Sequence, residues 1–220
     1  LGLEWIPDWP GFRGPGRYHA GNAASLDLLL DQAEAAGMRL TLSIFNHGMA
    51  RAGSRAEHDW RFHPYNQAQG GWLEAPSGLF TDARAFAFQQ RLFRHLAARY
   101  GDSPAVLGWK LWAEVDLANA GKDEVLAWHE RASAALAAAD PWDHPITSHW
   151  CGDWRRVDRR IAALPGIDWL TIDAYKGDQV SIADLLSSSV RNPLRPADGL
   201  GVHGKPVLVA EYGGSSGATA

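Results

Sequence analysis

Short apolar segments alternate with longer amphipathic segments along this chain, and this alternation restricts the fold more than any other feature. The spacing predicts helices over Ala23–Ala36, Thr81–Tyr100, Lys122–Ala139, Asp153–Leu164 and Ile182–Ser189. It predicts strands over Arg39–Phe45, Val106–Ala113, Pro145–Ser148, Trp169–Ala174 and Val207–Glu211. Such alternation indicates an α/β protein with a parallel sheet. A doubly wound sheet and a barrel share the pattern, so it does not separate the two.

The composition excludes several classes of partner. The net charge is −4 and no run rich in Lys and Arg occurs, which disfavours nucleic acids and anionic membranes as partners. No apolar run reaches the roughly 18–20 residues that span a membrane. The single cysteine, Cys151, excludes an intrachain disulfide. The sequence gives no signal for the oligomeric state, and the compartment is not readable, although an extracytoplasmic location is the working hypothesis.

Two glutamates stand at the carboxyl ends of predicted strands, where ligands bind in parallel α/β folds. Glu114 follows the strand in VLGWKLWAEVD, and Glu211 ends the strand in KPVLVAEYGG. Taken alone, either glutamate is equally well explained as a helix cap or an ion-pair partner. Two of them, each ending its own strand, favour a site, since a buried unpaired carboxylate is costly.

Glycoside cleavage uses such a pair of acids. One carboxylic acid protonates the leaving oxygen, and the other carboxylate attacks the anomeric carbon, with the two groups about 5–5.5 Å apart in retaining enzymes. Two separate strands must therefore deliver the two groups to one point.

At these motifs the chain resembles the (β/α)₈-barrel retaining glycoside hydrolases, in particular cellulase-like family 5 proteins. VLGWKLWAEVD resembles their strand four and KPVLVAEYGG their strand seven, while HPITS and IDWLTIDAY resemble strands five and six. The resemblance implies a TIM barrel that is incomplete in this chain, with strands two to seven covered. It also implies a single catalytic domain over residues 1–220, truncated at both ends.

The resemblance assigns roles to individual residues. It implies that Glu114 is the acid/base and Glu211 the nucleophile. Tyr175 matches a tyrosine that hydrogen-bonds the nucleophile, and His47 resembles a histidine that contacts substrate, although a loop histidine bound to backbone explains it equally well. The remaining predicted substrate contacts are Trp112, Trp150 and Asp173.

The chain departs from the family pattern at three positions. Ala113 replaces the asparagine that holds the sugar 2-hydroxyl, and loss of that contact costs about several kcal/mol in the transition state. Asp173 replaces a histidine. Lys110 stands where relatives often carry an acid, and a cation there would favour ionised Glu114.

Eleven tryptophans in 220 residues are also consistent with sugar binding, because indole faces stack on sugar rings. About half are expected in the core. The better candidates for stacking lie in or beside loop-like segments: Trp5, Trp9, Trp60, Trp72 and Trp150. The aperiodic stretch Asn46–Leu79 is predicted to be a long functional loop.

The predicted partner is therefore a β-linked poly- or oligosaccharide, and the predicted function is retaining hydrolysis. Three alternatives remain: a catalytically silent carbohydrate-binding barrel, a purely structural barrel domain and a metal-dependent hydrolase. No HxH or HExxH pair and no glycine-rich phosphate loop occurs, so no metal or cofactor is predicted, and His149 and His203 are expected to be loop or surface histidines.

Overall fold

The computed structural model describes Glu4 and residues 14–53, 59–175 and 181–213. Helices α1 to α6 span Ala20–Ala35, Gly78–Thr81, Ala83–Tyr100, Lys122–Ala139, Arg159–Ala162 and Ile182–Arg191. Strands β1 to β5 span Leu40–Asn46, Val106–Ala113, Ile146–Thr147, Leu170–Tyr175 and Val207–Gly213. Within these ranges, no helix is both long and apolar enough to cross a membrane.

The described strands are parallel and lie side by side in chain order. Strands β1, β2 and β3 form one sheet, and β4 pairs with β5 in a second. A parallel bridge between His149 and Thr171 links the two sheets. A doubly wound sheet reverses strand order at a switch point, whereas a barrel does not. The order seen here is that of a partial barrel, which resolves the choice that the alternation left open.

An aromatic cluster joins the strands to the helices behind them. Trp112 of β2 packs against Phe45 of β1, Phe80 of α2 and Trp128 of α4, with ring centroids 5.0–6.0 Å apart. Trp112 and Trp128 are fully buried. Burial of such large apolar rings is a major stabilising contribution in a domain of this size.

At two of the helix starts that differ from the prediction, an aspartate decides where the helix begins. Asp82, not Thr81, caps α3, because its carboxylate accepts the N–H of Ala85 at 2.7 Å. The helix predicted over Asp153–Leu164 is only the short α5, capped by Asp158 through the N–H of Arg160. Asp153 instead closes a turn by accepting the N–H of Arg155.

The stretch Asn46–Leu79 has little regular structure, as predicted, but its described residues are packed rather than open. The described part of this stretch forms short 3₁₀ helices at His47–Ala50, Trp60–Phe62 and Gln67–Gln69. Trp60, Tyr65 and Leu73 are buried in the core. This segment therefore closes one side of the domain next to the end of β1.

Candidate active site

Glu114 follows the last residue of β2 in a left-handed backbone conformation, with φ 54° and ψ 49°. This conformation is uncommon for a residue other than glycine and persists only where the surroundings hold it. The N–H of His149 donates to the carbonyl of Trp112 at 3.0 Å, and the N–H of Val115 donates to the carbonyl of His149 at 2.9 Å. The residues on both sides of Glu114 are thus fixed by one residue that follows β3.

The Glu114 carboxylate lies at the surface end of this turn and contacts His47. Glu114 Oε2 is 2.7 Å from His47 Nδ1, and the two side chains are 18% and 22% exposed, so both can be reached from solvent. The hydrogen bond from His47 holds the pKa of Glu114 below its ordinary value, while partial burial acts in the opposite direction.

Cys151 is a further partner of Glu114. Burial first, and then the hydrogen bond to Glu114, raise the pKa of the Cys151 thiol to about 12. The thiol therefore stays protonated and donates to the carboxylate, which further lowers the pKa of Glu114.

Glu211 lies on β5 beside Tyr175 of β4. The Tyr175 hydroxyl donates to Glu211 Oε2 at 2.7 Å, which is the hydrogen bond that the family resemblance implies. This bond, more than burial, raises the pKa of Tyr175 to about 12, so the phenol remains a donor across the ordinary pH range. The other carboxylate oxygen of Glu211, Oε1, takes no part in the hydrogen bond with Tyr175.

The structure brings the two glutamates together around Asp173 of β4. Glu114, Cys151 and Asp173 each place one side-chain atom within 4.8 Å of the others, and so do His149, Asp173 and Glu211. Lys110 of β2 also lies near this group. Burial lowers its pKa, and the charges of Glu211, Asp173 and Glu114, in that order, act against the lowering.

These two triads are the described side chains that are spaced closely enough to hold a metal ion. Direct contacts account for their closeness: Asp173 binds His149, and Glu114 binds Cys151. Lys110 lies beside the same carboxylates, and its positive charge would repel a metal ion bound there.

Several of the predicted sugar contacts have side chains that are buried in this structure. Trp112, Trp150 and Trp60 are 0%, 1% and 5% exposed, since their large rings fill the space between strands, helices and loops. Asp173 is 1% exposed, and its oxygens accept hydrogen bonds from His149 and from the N–H of Gly152.

Trp72 is partly exposed, but its ring stacks on Tyr65 and lies under the guanidinium of Arg84. Trp5 and Trp9 lie outside the described residues.

Two residues of the site were not predicted from the sequence. His149 was expected in a loop or at the surface, yet it is fully buried against Asp173. Cys151 was considered only because a single cysteine excludes an intrachain disulfide. Both follow the short strand HPITS, at the same sheet edge as Glu114 and Glu211, and this position is the signal that could have identified them.

A cavity of about 580 Å³ adjoins the segment after Glu114. Its walls combine apolar side chains with cationic ones, including Val115, Val157, Lys122 and Arg156. Arg156 is paired with Asp116, so the positive charge of this cavity is partly neutralised.

The described strand order is that of a partial (β/α)₈ barrel, and Glu114 and Glu211 both lie close to Asp173. No protein-family model matches the chain. Among solved structures, an endo-β-1,4-mannanase from Thermotoga petrophila superposes with a TM-score of 0.60 at 17% identity, over 88% of this chain and 46% of that one. An exo-β-1,4-mannosidase from Opitutaceae bacterium strain TAV5 gives a TM-score of 0.62 at 23% identity, over 94% and 38%.

Proteins related to this chain in sequence are named as specific enzymes. A probable mannan endo-1,4-β-mannosidase F of Neosartorya fischeri is 26% identical in an alignment of length 203 that covers 86% of this chain and 41% of that protein. Mannan endo-1,4-β-mannosidase 1 of Oryza sativa subsp. japonica is 24% identical in an alignment of length 238 that covers 91% of this chain and 52% of that protein. The chain thus spans about half or less of the length of these relatives. They are O-glycosyl hydrolases, and the predicted resemblance to cellulase-like family 5 proteins is confirmed.

Proposed function

We propose that this chain carries both catalytic carboxylates of a retaining β-glycosidase that acts on β-1,4-linked mannan or its oligosaccharides. The observation that carries the proposal is the meeting of Glu114 and Glu211, from the ends of β2 and β5, around Asp173. The substrate class rests on the names of the relatives, which are mannan endo-1,4-β-mannosidases.

The two glutamates would divide the chemistry between them. Glu211, oriented by Tyr175 through Oε2, attacks the anomeric carbon with Oε1 while Glu114 protonates the departing glycosidic oxygen. Glu114, now ionised, then removes a proton from water, and that water displaces Glu211 from the sugar. Glu114 gives up its proton in the first step and regains one from water in the second, so the complete cycle leaves Glu114 protonated again.

We further propose that residues 1–220 form a single barrel domain that contains strands two to seven of the eight. In this numbering β1 to β5 are strands three to seven, and the predicted strand two, LGLEW, lies outside the described residues except for Glu4. The parallel order of β1 to β5 supports this assignment.

A silent carbohydrate-binding barrel is the second candidate function, and two observations favour it. Ala113 cannot hold a sugar hydroxyl. In addition, the lowered pKa of Glu114 reduces the fraction of this acid that is protonated at neutral pH.

Hydrolysis of 2,4-dinitrophenyl β-mannoside by the wild-type protein, Glu114→Ala and Glu211→Ala tests the proposal. We expect wild-type turnover, loss of turnover in Glu211→Ala, and its partial recovery with azide, which yields the α-mannosyl azide. Glu74→Gln, at an exposed position, serves as the matched control and should be fully active.

Two results would contradict the enzyme assignment. Equal inactivity of wild type and Glu211→Ala, with mannopentaose still bound in calorimetry, would establish the silent barrel. Absence of both hydrolysis and binding would reject both candidates.

A further inference from the structure

His149 and Asp173 form a fully buried pair directly behind the candidate catalytic glutamates. His149 Nε2 is 2.5 Å from Asp173 Oδ1, and both side chains are 0% exposed. Neither residue can touch a substrate in this arrangement. We propose that this pair is a positioning element that fixes Glu114 relative to Glu211, an inference that rests on the proposed glycosidase function.

The first link runs from His149 to Glu114 through the backbone. His149 donates its N–H to the carbonyl of Trp112 and accepts the N–H of Val115. These two bonds bracket Glu114, whose left-handed conformation needs such support. Any shift of His149 is therefore passed to the Glu114 turn.

The second link runs from Asp173 to Glu211 through the pairing of β4 with β5. Asp173 lies opposite Glu211 in the register, immediately after a register shift between Ile172 and Asp173. The second oxygen of Asp173 accepts the N–H of Gly152 at 3.1 Å, and its own N–H donates to the carbonyl of Gly152 at 2.9 Å. Asp173 is thus fixed on both sides, and its contact with His149 joins the two sheets at the site.

The net charge of the His149–Asp173 pair also supports this role. A buried carboxylate beside two glutamates is costly unless a partner compensates it. When His149 carries protons on both ring nitrogens, its pair with Asp173 has zero net charge whichever residue holds the shared proton, and the positive charge of His149 lowers the pKa of Glu114. In that form, Glu114 lies beside a neutral histidine–aspartate pair, and Asp173 does not add a third negative charge to those of Glu114 and Glu211. Among the described residues, the titratable and charged groups around Glu114 are His47, Lys110, His149, Cys151, Asp173, Tyr175 and Glu211.

The chain supplies a matched control at the other end of β3. His144 precedes this strand as His149 follows it, and His144 Nδ1 binds buried Asp140 at 2.8 Å. His144→Gln makes the same chemical change in a histidine–aspartate pair that does not contact the glutamates.

The experiment measures the carboxyl titration of Glu114 by ¹³C NMR, together with thermal unfolding. The variants are His149→Gln, Asp173→Asn, the double variant and His144→Gln. We expect His149→Gln to move the Glu114 midpoint to higher pH, because Asp173 is left uncompensated. Adding Asp173→Asn should return the midpoint towards the wild-type value, and His144→Gln should not move it. In the activity assay, His149→Gln should lose up to about 10²-fold, mainly in kcat rather than KM.

An unmoved midpoint in His149→Gln, or no return in the double variant, would overturn the positioning role. If His149→Gln does not fold, the single Asp173→Asn variant decides, since a rise of the Glu114 midpoint there would contradict the inference. The titration needs no turnover. An inactive wild type with the expected midpoints would therefore reject the proposed function and leave the positioning pair intact.

Discussion

His47 Nδ1 lies 2.7 Å from Glu114 Oε2, so the residue that follows β1 contacts the residue that follows β2. This contact gives His47 a partner that the sequence did not predict, while its role in substrate binding stays a prediction. It also sets the charge state of the proposed acid/base, because the hydrogen bond favours ionised Glu114.

Replacing His47 should change the pH dependence of hydrolysis. The falling limb of kcat/KM reports deprotonation of the free enzyme's acid. Because His47 lowers the pKa of Glu114, the wild-type limb should lie at low pH, and His47→Ala should move it to higher pH. The pH–rate profile on the aryl mannoside checks this, with His144→Ala as control. A limb that stays in place or moves down would contradict the assignment of Glu114 as acid.

Removing the Tyr175 hydroxyl should lower activity without unfolding the protein. Tyr175→Phe leaves Glu211 Oε2 without its donor, and loss of a hydrogen bond to a charged group should reduce kcat on the order of ten-fold or more. Tyr212→Phe is the matched control, since Tyr212 is 71% exposed on the adjacent strand. Equal rates in the two variants would show that Tyr175 does not orient the nucleophile.

Glu4 should make stability depend on pH. Burial raises the pKa of this carboxyl to about 7 from 4.5, although the Tyr65 hydroxyl and the Gly16 N–H both donate to it. The folded state therefore holds a proton that the unfolded state releases between about pH 4.5 and 7, and the free energy of unfolding falls as pH rises through this window.

Glu4→Gln should remove this dependence and be more stable than wild type at pH 8, by up to about 3 kcal/mol, with no such gain at pH 4. Urea unfolding at the two pH values measures the difference, and Glu74→Gln, at an exposed position, is the control. If Glu4→Gln raised the free energy of unfolding equally at pH 4 and pH 8, the raised pKa of Glu4 would not be the cause of the pH dependence.

Two buried tryptophans on β2 should respond differently to the same substitution. Trp109 Nε1 donates to Asp140 at 2.8 Å, whereas Trp112 Nε1 has no acceptor among the described residues. Trp109→Phe should therefore cost about 1–2 kcal/mol more than Trp112→Phe in chemical denaturation. Trp112→Phe should also leave KM unchanged, because its ring is 0% exposed. A raised KM would restore Trp112 as a sugar contact.

The regular elements were largely predictable because local pattern determines them. β2 and α4 have the predicted bounds, Val106–Ala113 and Lys122–Ala139. The predicted Asp153–Leu164 helix failed because aspartate side chains bind nearby backbone N–H groups and stop the helix, a competition that apolar spacing does not reveal.

The sequence by itself determined the alternation of strands and helices and placed Glu114 and Glu211 at strand ends, since both depend on residues that are close along the chain. Only the tertiary structure decided what surrounds these acids. His47 follows β1, His149 and Cys151 follow β3, and Asp173 lies on β4; these residues meet because parallel strands align their carboxyl ends. The same packing placed Trp112 and Trp150 in the interior, because apolar area is buried wherever the fold provides a partner surface, whatever chemistry the side chain could perform elsewhere.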